Sequence, residues 1–296
     1  MGFADLGTTM RLSAYLPAFV IAVFAALLAA ERLFPLRRSG SALLARLVIN
    51  LAVSALAYAT AMIAVRPSAI YTLDWTVRSS FGVVQLVPLP EWGRIILGFL
   101  LLDLSFYYWH VANHKVPFLW RFHNVHHIDP DLDVSTGFRF HFGEVLLSTL
   151  FRVVQVGLIG MSFATLAVYE AVFQANTLFQ HSNVRLPIRL ERLLNKVLVT
   201  PRMHGIHHSQ VQPETNSNFG VVFPFWDRLH RTIGLNVPQS MIEIGIAGYS
   251  TPDDNRLWDA LALPFRRQRD YWRKPDGTVP RRDIAVLQQG RTCLAE

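Results

Sequence analysis

The chain has 296 residues, 51% of them apolar and 17% charged, with a net charge of +7. A positive mean hydropathy and a single cysteine, Cys293, exclude a disulfide-stapled module and any thiolate-rich metal site. The basic balance does not point to nucleic acid. The Lys and Arg side chains lie beside apolar runs and in the last third, where anionic lipid headgroups are the nearer partner.

Residues 1–11 read as a short frayed segment. Two windows, Leu12 to Ala30 and Leu47 to Val65, then run without a charged side chain. At about 1.5 Å per residue, each is long enough for a hydrocarbon core of about 30 Å. The first window exceeds a secretory apolar region and leads into Glu31, Arg32, Arg37 and Arg38 instead of a small-residue cleavage site. It is read as a retained membrane helix. Glu31 to Gly40 reads as a basic turn broken by Pro35. Residues 66–93, with Pro67, Pro88 and Pro90, read as an irregular or interfacial loop whose Tyr71, Trp75 and Phe81 suit the headgroup level.

The third apolar run, Ile95 to Trp109, contains Asp103 and continues into the first cluster of histidines. Asp103 stands about two helical turns before His110 and is expected to hydrogen-bond a metal-ligating imidazole from outside. Val145 to Phe179 is too long for one span and carries Gly157 and Gly160 near its middle, which predicts a helical hairpin. Trp258 to Phe265, backed by Arg266, Arg267 and Arg269, reads as a membrane-surface segment. The expected fold class is all-α and polytopic, with about four membrane-embedded helices or hairpin arms and a histidine-rich helical cap. Its parts are residues 1–94, a catalytic region 95–235 and a basic tail 236–296. Arg32, Arg37, Arg38 and Arg46 outweigh the sparser charge of 66–94, so the positive-inside rule puts the cap and the C-terminal region in the cytoplasm.

All eleven histidines fall between His110 and His230. They form one H-x-x-x-H box (His110, His114) and two H-x-x-H-H boxes (His123, His126, His127 and His204, His207, His208). On a helix, positions i, i+3 and i+4 share a face, so each box aims its imidazoles at one point. Three boxes aimed together make a nitrogen cage for a transition metal, since neutral imidazole suits iron, zinc, copper and nickel.

With the boxes HVANH (110–114), HNVHH (123–127) and HGIHH (204–208) set between apolar runs, the chain resembles the fatty acid hydroxylase/sterol desaturase superfamily of integral-membrane diiron enzymes. RFHFGE, FQHSN, TPRMHGIHHS, TNSNFG and WDRL extend the resemblance over roughly residues 95–235. The resemblance implies two iron ions held by the eight box histidines, with His181 as an additional ligand and O2 as co-substrate. His141 stands where the family often has a histidine followed by proline, but Phe142 follows here, which weakens that position as a ligand. His230 is read as a packing residue. Glu144 and Asn183 are expected to orient ligating imidazoles, since such rings donate their second N–H to a carboxylate or carbonyl. Asp227 and Arg228 are expected to tie the C-terminal segment to the cap. The product implied is a hydroxylated or desaturated lipid.

Electrons must arrive from outside, because the chain has no G-x-G-x-x-G fingerprint, no c-type haem motif and no cysteine cluster. A separate reductase with a ferredoxin or a cytochrome b5-like carrier is the expected partner, in a bacterial inner membrane. Two rival readings use the same residues. A membrane zinc metallohydrolase lacks its general base, since no Glu directly follows a box histidine. A metal transporter would place polar ligands along the spans, whereas Leu12–Ala30 and Leu47–Val65 carry none, and a bis-histidine haem would leave most of the eleven histidines unexplained.

Overall fold

The computed structural model describes residues 3–40 and 42–282, and Cys293 lies outside them. Among the described residues the regular elements are helical. Four helices among the described residues are long and apolar enough to cross a membrane, within Tyr15–Leu33, Leu43–Leu86, Glu91–Lys115 and Phe142–Ile159. They belong to α1 (Phe3–Leu33), α2 (Leu43–Thr60) with its continuation, α5 (Glu91–Lys115) and α7 (Phe142–Ile159). The remaining helices are α3 (Arg66–Ser79), α4 (Val83–Leu86), α6 (Pro117–His127) and α8 (Phe163–His181). Short cap helices follow: α9 (Ile188–Leu194), α10 (Pro201–His207), α11 (Gln212–Thr215), α12 (Phe225–His230) and α13 (Leu257–Ala262). The hairpin expected over Val145 to Phe179 is present as α7 and α8, reversed at Gly160.

Two expectations near the N-terminus are corrected. The first helix starts at Phe3 instead of after a frayed segment, and residues 66–79 are helical instead of irregular. Pro67 lacks an N–H and its ring crowds the carbonyl four residues back, which ordinarily ends a helix. Here a π turn over Ala61–Val65 precedes it, with the Arg66 N–H donating to Ala61 O five residues back. The wider turn changes which carbonyls need donors just where proline can supply none, and the helix continues. It ends at Ser80 in the left-handed conformation. Beyond it, Gly82 (φ 111°) and Gly160 (φ 65°) meet backbone to backbone. A Cβ on either would strike the other's main chain, so the reversal after α3 and the α7–α8 turn can pack only with glycine at both places.

The core has two parts. One joins Leu73, Val84, Leu102, Val156, Met161 and Tyr169, binding α3, α5, α7 and α8. The other lies under the cap and joins Val53 of α2 to Trp120 and Val125 of α6, and to Ile246, Tyr249 and Ala260.

A buried ion network fastens the cap to the first two spans. The Arg46 guanidinium forks onto Asp129 at 2.8 Å and reaches Asp133 at 2.6 Å. Asn50 and Thr136 donate to the same Asp129 oxygen at 2.9 and 2.8 Å. Glu31, at the end of α1, accepts from the Val134 and Asn183 N–H groups. Arg46 is thus a bidentate partner in a closed site, and not a loop charge as its sequence context suggests. The acids it holds stand two and six residues after His127, so the network fixes the exit of the second histidine box. Burial raises the Asp129 carboxyl, but the Arg46 charge and hydrogen bonds outweigh it and hold it at about 2. The pair's contribution therefore persists down to the unfolded carboxylate value of about 4 and fades as the pH falls further towards about 2.

Arg46→Ala leaves the buried Asp129 with only Arg139, 3.9 Å away, as a cation, for which the expected loss is about 3 kcal/mol. It should appear as a clearly lower unfolding temperature in detergent at pH 7, and an unchanged temperature would contradict the role given to the pair.

Candidate metal centre

Four helices bring nine histidines together. α5 carries His110 and His114 one turn apart at its cap end, and α6 carries His123, His126 and His127. α8 ends on His181, while α10 carries His204 and His207 with His208 just beyond. Their ligand atoms fall into two sets, each within 4.8 Å of one another: His110, His114, His123, His127 and His207 in one, and His126, His181, His204 and His208 in the other. The second and third boxes contribute to both sets: the i, i+4 pairs His123/His127 and His204/His208 each share a set, while the i+3 histidines, His126 and His207, turn to the other, so each of these boxes serves two centres instead of the single point its spacing suggests.

Backbone and carboxylate acceptors set the rings. His110 Nδ1 lies 2.8 Å from Phe219 O, His207 Nδ1 2.7 Å from Ser217 O and His181 Nδ1 2.6 Å from Thr177 O. A carbonyl only accepts, so each of these rings carries its hydrogen on Nδ1 and, when neutral, turns a bare Nε2 inward. His123 Nδ1 meets Glu144 Oε1 at 2.9 Å, which imposes the same tautomer. In the second set the Nε2 atoms approach one another at 3.0 Å (His126–His181), 2.8 Å (His181–His204) and 3.1 Å (His204–His208). Nitrogens bound tetrahedrally at about 2.1 Å stand about 3.4 Å apart, so a small opening of these rings admits a metal.

The electrostatics agree with that fit. Burial first, and then the neighbouring imidazoles, hold His126, His127, His204 and His208 well below the ordinary histidine range. Burial likewise takes His207 down to about 3, against the pull of its Ser217 hydrogen bond. These rings are neutral at pH 7, the form that ligates. The Nε2 atoms of His114, His123 and His207 are buried without a hydrogen-bond partner. Such orphaned acceptors cost about 1–3 kcal/mol each unless something positive meets them.

Other residues singled out in the sequence lie elsewhere. Asp103 touches no histidine. Its carboxylate accepts from the Val222 and Phe223 N–H groups, from Trp226 Nε1 and from Tyr169 OH, because a charge inside a span is satisfied by the nearest exposed donors, here a loop packed against α5. Asn183 exchanges hydrogen bonds with the Arg37 main chain and ties FQHSN to the turn after α1. His141 caps α7, accepting from Gly143 N–H on Nδ1, while its Nε2 meets Leu261 O. With both nitrogens engaged it belongs to neither set. His230 stacks on Tyr107 and hydrogen-bonds Tyr108 OH. Asp227 accepts from Phe219 and Gly220 N–H and from Thr232, holding the segment whose Phe219 carbonyl orients His110, and Arg228 reaches Asn195 O. The orienting carbonyls of Thr177, Ser217 and Phe219 escaped the sequence reading, since a backbone acceptor has no side-chain signature.

Residues 95–232, which include all nine converging histidines, match the family model described as fatty acid hydroxylase. The chain is 31% identical over 179 residues to ornithine lipid hydroxylase OlsE of Rhizobium tropici, covering 60% of this chain and 52% of that protein. It is 29% identical over 156 residues to cholesterol 25-hydroxylase of Mus musculus, covering 52% and 51%. With alkylglycerol monooxygenase of Homo sapiens it shares 29% over 138 residues, or 46% of this chain and 29% of the other. The matches span about half the length of the first relatives. No solved structure matches the chain. The resemblance to the fatty acid hydroxylase/sterol desaturase superfamily, read from the boxes, is borne out over this stretch.

Two substitutions separate the site from its scaffold. Glu144→Ala frees the His123 ring and should weaken metal binding about 10–100-fold, measured by competition with a chelator. Asp103→Asn should lower thermal stability and leave metal content unchanged, and loss of metal in that variant would restore Asp103 to the site.

Proposed function

On the premise that residues 95–232 carry a fatty acid hydroxylase domain, we propose that the protein is a membrane-bound diiron oxygenase that hydroxylates or desaturates a lipid C–H bond. The observation that carries this reading is the pair of largely buried imidazole sets with their ring nitrogens converging on two centres. His110, His114, His123, His127 and His207 would hold one iron, and His126, His181, His204 and His208 the other. Iron bound there would supply the activation of O2 that cleavage of an unactivated C–H bond requires.

The chain's own residues do the rest. Thr177, Ser217 and Phe219 carbonyls and the Glu144 carboxylate lock four rings in one tautomer. Burial of the second and third boxes keeps water from those rings, which would limit side reactions at the centre. Hydroxylation consumes RH, O2, two electrons and two protons and yields ROH and water. Desaturation removes two hydrogens from the lipid and yields two waters. Both need two external electrons, which a reductase with a ferredoxin or cytochrome b5-like carrier would deliver at the basic cytoplasmic face of an inner membrane. The named relatives act on ornithine lipid, cholesterol and alkylglycerol, which supports a lipid substrate drawn from the bilayer.

The test is expression in a lipid-rich bacterial host under heavy-isotope dioxygen, followed by mass spectrometry of the lipid extract. A new lipid carrying one heavy oxygen atom, or one shorter by two hydrogens, is expected from the wild type and not from His126→Ala or His207→Ala. Product from either variant, or none from the metal-loaded wild type with a reducing system, would overturn the reading. Turnover with an acidic carrier should fall as ionic strength rises, and salt-insensitive rates would contradict docking by charge.

A further inference from the structure

The outward surface of the cap carries apolar residues where a water-facing surface would carry polar ones. On α9 the inner face holds Glu191, buried and paired with Arg202 at 2.7 Å. The outer face shows Leu193 (62% exposed), with Val197 beyond the helix end also exposed. Leu229 of α12 is 70% exposed, and Arg228 joins the two helices by donating to Asn195 O at 2.9 Å. Arg189, Arg192 and Lys196 are exposed around this patch, and Glu191 is the only acid from 185 to 197.

The depth of the patch follows from what it packs on. α5 starts at Glu91, beside an exposed Trp92 of the kind that marks a membrane interface. Asp103, which holds the 222–226 loop, lies about 18 Å along α5 from Glu91, and Tyr108, which hydrogen-bonds His230, about 25 Å. Leu198 packs into the same cluster as Leu97 and Phe99, and the Phe223 ring lies tilted against Phe99 at 5.8 Å. Both heights fall within a hydrocarbon core of about 30 Å. Leucines exposed at that depth on the side facing away from the spans have acyl chains to face.

We propose that α9 and α12 form an in-plane patch set into one phospholipid leaflet, with Leu193, Val197 and Leu229 among the acyl chains and Arg189, Arg192 and Lys196 on the lipid phosphates. Long cationic side chains reach outward from such a depth, and a mixed apolar and basic face is what an interfacial helix presents. The patch would hold the histidine cage at headgroup level, where a lipid chain enters sideways without leaving the membrane.

The single native cysteine makes the test direct. In a Cys293→Ser background, Leu193→Cys and Leu229→Cys are labelled with a small fluorophore in nanodiscs of phosphatidylcholine and phosphatidylglycerol, with exposed Asp276→Cys as the control. Brominated acyl chains should quench the labels at 193 and 229 several-fold more than the label at 276, and aqueous iodide should show the reverse order. Charge reversal at Arg189, Arg192 and Lys196 should lower the lipid quenching, and unchanged quenching would remove the phosphates from the proposal. Labels at 193 and 229 that follow iodide like the control would overturn insertion. So would labels shielded from both quenchers, which would mean a second chain or an acidic carrier covers the patch.

Discussion

Nine converging imidazoles, seven of them buried and His110 and His114 half-buried, set the terms for the rest of the structure. Desolvation keeps His126, His127, His204, His207 and His208 neutral, and the carbonyls of Thr177, Ser217 and Phe219 set three rings so that bare nitrogens turn inward. Inward lone pairs repel one another unless a cation lies between them, so a metal bound there would stabilise this arrangement. Much of the scaffold serves that constraint. Asp227 fixes the segment around Phe219, Asp103 fixes the loop just beyond it, and the Arg46–Asp129 pair fixes the chain as it leaves the second box.

The division of labour between spans and cap follows from the solvent each meets. Buried charge is concentrated where the cap rests on the first two spans, and every carboxylate there has several donors. This is the only affordable arrangement at low dielectric, because an unpaired charge costs several kcal/mol. The outer faces of the spans remain apolar, and α9 and α12 carry that character into the cap.

Much of the site was legible in the sequence because side-chain spacing encodes it. The boxes are local, so the eight box histidines stand out from spacing alone, whereas His181 is pointed to only by the family resemblance, and the glycines near 157–160 mark the α7–α8 reversal. What was not legible depended on partners far along the chain. Asp103 looked like a support for His110 because both share α5, yet donors 119–123 residues away capture it. Asn183 and His141 likewise meet distant partners, the Arg37 backbone and the Leu261 carbonyl. Pro67 announced a break that a π turn absorbs, and periodicity cannot reveal the extra residue in that turn. Arg46 counted as a loop cation until its two acids, more than eighty residues on, were in place.

The central claim is that these nine histidines hold two irons. Metal analysis with Mössbauer spectroscopy, on protein purified in detergent from iron-replete cells, tests it most directly. The proposed diiron reading predicts about two irons per chain, one for each imidazole set, with a coupled diferric signal. Zinc alone with no iron uptake on anaerobic reconstitution, or folded protein with no stoichiometric metal, would contradict it.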